Sequence, residues 1–229
     1  MYISHLFLAR VSRASYSGYK ELTALGFDDI TTINCKGTGT TAYLCKHTLS
    51  RQAVLVFRGT DDLRDISVGL NFIKTETPLN RKLHSGFLAA YTSIKTSVDS
   101  CLNDLVGWDI YLTGHSLGAA LAVICRLQTS SVPRATVTFG QPRVVGTNGS
   151  ENLSTLGVVR YVNKSDIVTS IPKVGYTHSG ECIYISKSGK LIRNPSNLFM
   201  FLDSGWKMFN WVSDHKIDSY IDSIFISKF

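Results

Sequence analysis

Proline is scarce in this chain, with 5 residues in 229, and no serine-rich or proline-rich stretch, internal repeat or charge block divides it. Extended linkers and low-complexity segments are therefore not expected, and the whole of 1–229 reads as a single domain. Nowhere does the chain reach the roughly 18 to 20 uninterrupted apolar residues of a membrane-spanning helix, so no transmembrane segment is expected. Cysteine is sparse and odd in number: Cys35, Cys45, Cys101, Cys125 and Cys182. None of them is spaced as C-x-x-C, which argues against a zinc cluster or a disulfide-dense scaffold and fits a reducing, cytoplasm-like compartment. One bridge stays open on spacing alone, between Cys35 and Cys45 across a hairpin. No H-E-x-x-H or clustered His/Asp ligand set occurs, so neither metal nor cofactor is expected. Lysine and arginine outnumber the acids for a net charge of +7, yet they form no dense run or helical stripe. A nucleic-acid partner is not expected, whereas a basic face suits transient contact with anionic lipid surfaces. The segment Met1–Gly18 lacks a basic leader, carries Arg10 and Arg13 after its apolar stretch, and reads as an opening helix, not a signal peptide.

What is present alternates. Short β-rich runs at Ile30–Cys35, Thr41–Lys46 and Ala53–Phe57 precede a segment at Gly86–Leu105 whose apolar residues recur at helical spacing. Then follow a strand (Trp108–Leu112), a helix (Leu117–Leu127), and strands at Ala135–Phe139 and Val158–Val162. A β pair near Cys182–Ile185 and Leu191–Arg193 and a helix after Ser213 close the pattern. Strands alternating with helices predict an α/β fold with a mostly parallel sheet covered on both faces. In such sheets, reactive groups gather at the carboxyl ends of the strands.

Gly114-His115-Ser116-Leu117-Gly118 is a G-x-S-x-G pentapeptide set between an apolar strand and an Ala-rich helix. A sharp strand-to-helix turn crowds its neighbours, and the crowding falls where the two glycines stand. Such a turn holds the hydroxyl out at the positive end of a helix, where backbone N–H groups meet developing negative charge. Ser116 is therefore the candidate nucleophile. It needs a base and an orienting acid, which in this architecture follow the serine in the order acid, then His. Only His178 and His215 follow it; His215, ahead of the last helix, is preferred over His178 in a polar loop. Asp166, just beyond the strand Val158–Val162, is preferred as the acid over Asp203, Asp214, Glu151 and Glu181.

With these residues placed, the chain resembles the class 3 lipase family of α/β hydrolases. The likeness rests on six ordered blocks: Val56–Thr60, Leu83–Phe87, Leu112–Ala120, Thr138–Arg143, Arg160–Pro172 and Asp214-His215. The resemblance implies an α/β-hydrolase fold with a short helical lid, and a catalytic triad of Ser116, Asp166 and His215. It places the oxyanion hole at Thr60 and the Leu117 N–H. The lid falls on Asp61–Phe72, with Leu63, Ile66, Val68 and Leu70 on its apolar underside. His84 carries over as a structural support beside the site. Tyr220 departs from the family pattern: it lies five residues after His215, where fungal members have an aromatic nearer. The implied activity is that of a lipase, a serine carboxylic-ester hydrolase acting on lipid esters such as triacylglycerols or medium-chain acyl esters. Phospholipase A1 or soluble-ester chemistry is the alternative, and a catalytically silent lipase-like binding module is the alternative of another class.

Overall fold

The computed structural model describes residues 1–60, 83–147, 157–178, 180–205 and 211–227. The expected lid segment, with Leu63, Ile66, Val68 and Leu70, lies outside the described residues.

Eight strands form one twisted sheet in the order β1 (Asp29–Cys35), β2 (Thr40–His47), β3 (Gln52–Phe57), β4 (Asp109–His115), β5 (Ala135–Phe139), β7 (Val158–Asn163), β9 (Glu181–Ile185) and β10 (Leu191–Arg193). The pairings from β3 to β9 are parallel, and antiparallel hairpins flank them at both edges. Two short strands, β6 (Val145–Gly146) and β8 (Tyr176–Thr177), pair separately. The central strands bury both faces, which is why they read as continuous apolar runs. In β3, Ala53, Leu55 and Phe57 enter one core cluster while Val54 and Val56 enter the other.

On the first face pack α3 (Ser85–Thr92), α4 (Lys95–Asn103) and α5 (Leu117–Gln128). The opposite face is covered by α1 (His5–Ser17), α2 (Tyr19–Ala24) and α8 (Ile217–Ile226), through Leu8, Val11, Leu22, Tyr220 and Ile224. Each such buried side chain contributes about 1.5–3 kcal/mol. Among the described residues no helix is long and apolar enough to cross a membrane.

Two expectations need correction. The helical periodicity over Gly86–Leu105 belongs to two helices, not one. They break at Ser93-Ile94, where Ser93 Oγ donates to Ala90 O and meets Thr38 of the β1–β2 turn. A serine that bonds its own backbone competes with the helix, while the apolar spacing continues across the break. Cys35 and Cys45 do not face each other either. Cys35 pairs with Thr40 and Cys45 with Ile30, five residues apart along β1 and so on opposite faces of the sheet.

Candidate active site

β4 runs straight into Ser116, whose backbone sits at φ 57°, ψ −124°, and α5 begins at the next residue. Positive φ in a residue with a Cβ is strained, and it holds here because the turn is pinned on both sides. Ser116 N donates to Phe139 O at 3.0 Å, and Ala119 N returns to Ser116 O at 3.0 Å. The flanking glycines are sterically obligatory. A Cβ on Gly114 would lie 2.4 Å from the Gly118 backbone, and one on Gly118 only 2.1 Å from Phe57 O.

Asp166 stands just past the end of β7 and caps the 3-10 turn Ile167–Ser170, accepting from Val168 N at 2.9 Å. Its carboxylate accepts His215 Nδ1 at 2.9 Å (Oδ1) and 2.8 Å (Oδ2), with both side chains fully buried. His215 closes the short helix α7 (Trp211–His215), one residue before α8 starts. With Nδ1–H committed to the carboxylate, the lone pair of neutral His215 is on Nε2. Among the described residues neither His215 Nε2 nor Ser116 Oγ has a hydrogen-bond partner, and both are buried. The neighbour of Ser116 also meets His215: the His115 and His215 rings lie 4.6 Å apart, centroid to centroid.

Around this pair lie groups whose contacts with it the sequence alone did not predict. Tyr220, on the first turns of α8, donates to Asp166 Oδ2 at 2.5 Å and accepts from Asn163 N at 3.1 Å. Burial, and then the Asp166 charge, hold the Tyr220 phenol well above its ordinary range, so it stays a donor. Asn163 in turn donates from Nδ2 to Asp214 O and Ser219 Oγ, both at 3.0 Å, tying the end of β7 to the His215 segment. His115 lies 2.7 Å from His215 O through Nε2 and 2.8 Å from the Tyr16 hydroxyl through Nδ1. Burial, then the nearby His215, push the His115 imidazole well below its usual range. A neutral ring has one N–H; the His215 carbonyl can only accept, so Nε2 donates to it and Nδ1 accepts from Tyr16. Gly140 (φ 58°) completes the enclosure, since a Cβ there would fall 2.9 Å from His215 Cε1 and 3.0 Å from Asp166 Oδ2. The contacts of Tyr16, His115 and Tyr220 join segments distant in sequence, so no local pattern announces them. Of these groups, Tyr220 had a signal as an aromatic close after His215, and Gly140 lay within the block Thr138–Arg143.

The remaining candidates fall as follows. Thr60 is half-buried two residues beyond the start of the Arg58-Gly59 turn, where a Cβ on Gly59 would lie 2.7 Å from His115 O. Thr60 is thus one residue from close contact with the serine turn. Leu117 opens α5, where a backbone N–H has no partner within its own helix. His178 does not join Asp166. Its Nε2 lies 2.5 Å from Thr169 O, and burial followed by the Arg160 charge lowers its pKa to about 3. His84 is buried between the rings of Phe87 and Tyr176, a packing position. Asp214 accepts from Ser165 N, and Asp203 from the Tyr184 hydroxyl; Glu181 pairs with Arg193. Glu151 lies outside the described residues. Among the described residues no group of three His, Cys, Asp or Glu side chains is placed to hold a metal ion.

Comparison with known proteins agrees with this arrangement of strand, turn and helix. The chain is 29% identical over 164 residues to a lipase of Rhizomucor miehei, a match covering 64% of this chain and 45% of that protein. It is 30% identical over 184 residues to phospholipase A1-II 1 of Oryza sativa subsp. indica, covering 64% and 46%. The chain thus spans about half the length of these curated relatives. Among solved structures, the Rhizomucor miehei lipase propeptide complex superposes with a TM-score of 0.66 at 26% identity, covering 79% of this chain and 66% of that one. A triacylglycerol lipase whose catalytic centre is formed by a serine protease triad gives 0.66 at 25% identity, covering 79% and 77%. The fold is that of the α/β hydrolases. Residues 54–176, more than half of the chain, match the model of the lipase (class 3) family, and the chain belongs to that family.

Proposed function

We propose that this protein hydrolyses carboxylic esters of lipids through an acyl-enzyme formed on Ser116. The observation that carries the reading is the buried His215–Asp166 pair set beside a strained serine turn, with His215 Nε2 and Ser116 Oγ both unengaged among the described residues. His215 Nε2 takes the hydroxyl proton as Ser116 Oγ attacks the ester carbonyl. Asp166 keeps the imidazole in the tautomer that leaves Nε2 free and stabilises the imidazolium. The oxyanion is received by the Leu117 N–H at the head of α5 and by Thr60. His215 then returns the proton to the leaving alcohol, and water, activated by the same base, releases the acid. The names of similar proteins support two substrate classes: acylglycerols, from the triacylglycerol lipase structure, and the acyl ester of a phospholipid, from the rice phospholipase A1. Acylglycerols or medium-chain esters are the preferred substrates.

The test is hydrolysis of p-nitrophenyl butyrate by the intact chain beside Ser116→Ala, with folding checked by circular dichroism. Turnover should fall about 10⁴-fold or more in the variant. Equal rates in the two proteins, or none from the folded parent on an ester panel spanning chain length and head group, refute the proposal and favour a silent binding module.

A further inference from the structure

The helix α6 (Asn197–Ser204) is built unlike a surface helix. Its sequence is Asn-Leu-Phe-Met-Phe-Leu-Asp-Ser, and none of its residues is buried. Leu198 is 67% exposed, Phe201 57% and Leu202 67%. A surface helix normally turns charge outwards, and a contiguous apolar patch at the surface marks a binding face. The helix is nevertheless held firmly. Ser196 Oγ caps it by accepting from Phe199 N at 3.1 Å, and Met200 packs on Val162, Cys182 and Tyr184. Its one charged residue, Asp203, is engaged by the Tyr184 hydroxyl at 2.8 Å and by Lys187 N at 3.0 Å.

Its position also matters. Met200 and Phe201 line a cavity of about 560 Å³ that includes Asp166, and Ser165 Oγ donates to Ser204 O at 3.4 Å. The apolar face therefore borders the segment that carries the acid of the active site. The surroundings are basic. Lys164 lines the same cavity, the Lys187 ammonium lies against Gly205 at the end of the helix, and exposed Lys190 sits in the β9–β10 turn.

From these observations we infer that α6 is a fixed anchor that seats the protein on an anionic phospholipid surface, with Leu198, Phe201 and Leu202 entering the interface and the lysines meeting the head groups. An apolar face flanked by cations is the pattern that binds in the plane of a bilayer. A second copy of the chain is the poorer occupant, because a two-fold contact would bring this basic edge against itself. The inference rests on the reading of this protein as a lipid-ester hydrolase, since that is what gives an anchor on a lipid surface its use.

The experiment is flotation of the full chain carrying Ser116→Ala with vesicles of phosphatidylcholine, with and without phosphatidylglycerol. It is repeated with Leu198→Ser/Leu202→Ser and with Lys187→Glu/Lys190→Glu added. Each pair should weaken partitioning onto the anionic vesicles about tenfold, the second pair having little effect on neutral ones. In the Ser116-intact background both pairs should hydrolyse soluble p-nitrophenyl butyrate at the parental rate, which also reports that they fold. Partitioning of the leucine pair equal to the parent's would overturn the anchor. So would a dimer in sedimentation that the leucine pair splits while flotation is unchanged. Flotation that depends on α6 in a chain with no ester turnover supports the anchor and removes the hydrolase reading alone.

Discussion

The Asp166 carboxylate is held by three donors in this structure: Val168 N, His215 Nδ1 (shared between both oxygens) and the Tyr220 hydroxyl. A carboxylate so surrounded cannot rotate, and the imidazole it carries inherits that rigidity. Tyr220→Phe removes one donor and leaves Asn163 N without its buried acceptor, a loss of about 1–3 kcal/mol in stability. On the proposed mechanism ester turnover should fall about tenfold through kcat with KM little changed, because the phenol touches Asp166 and not the substrate. A variant with parental kcat would show that the carboxylate is held without Tyr220. Gly140→Ala tests the same spot from the other side. Its Cβ would press on His215 and Asp166 at 2.9–3.0 Å from a backbone at φ 58°, where side chains are strained already. The chain should melt cooperatively yet lose about 100-fold in turnover, since small displacements of a catalytic group are costly. Full activity in Gly140→Ala would mean that the pair can shift without loss.

At the scale of the elements, β4, the serine turn and α5 act as one device, and its tightest point is the backbone crossing at Gly118 rather than the serine. A Cβ there meets Phe57 O at 2.1 Å, and that oxygen ends a central strand that has no room to retreat. Gly118→Ala should therefore destabilise the fold by about 3 kcal/mol or more, read as a lowered urea midpoint or as loss of soluble protein. A parental midpoint would show that β3 yields. This part of the architecture was legible in the sequence because its signals are local. The glycines at two residues either side of Ser116 and the apolar run Ile110–Leu112 predict the strand-turn-helix directly, and the strands at Ala135–Phe139 and Leu191–Arg193 stand where their β-rich runs predict them. What was not legible depends on contacts between distant segments. The Tyr16–His115–His215 chain joins α1 to the C-terminal region, and Tyr220 reaches Asp166 because α8 folds back onto β7. Periodicity likewise hid the break at Ser93, because an apolar stripe runs through a kink unaltered.

Taken as a whole, the molecule clamps its parallel sheet between two sets of helices and leaves neutral imidazoles inside a chain of net charge +7. His115 and His178 are both driven towards the uncharged form chiefly by burial, the second to a pKa of about 3. Once unfolded, both regain an ordinary imidazole pKa near 6.5. Between those limits the unfolded chain takes up protons that the folded chain refuses, so stability is full above the ordinary imidazole range and falls as the pH drops towards 3. The growing positive charge of a basic protein adds repulsion in the same direction. His178→Gln separates the two causes: the amide can still donate to Thr169 O, but it does not titrate. Between about pH 7 and about pH 4.5 the parent should lose about 2 kcal/mol more than this variant in urea unfolding, from the His178 contribution alone. Parallel losses in the two proteins would assign the acid sensitivity to His115 and to overall repulsion, and would show that the segment following Asp166 stays packed when His178 is protonated.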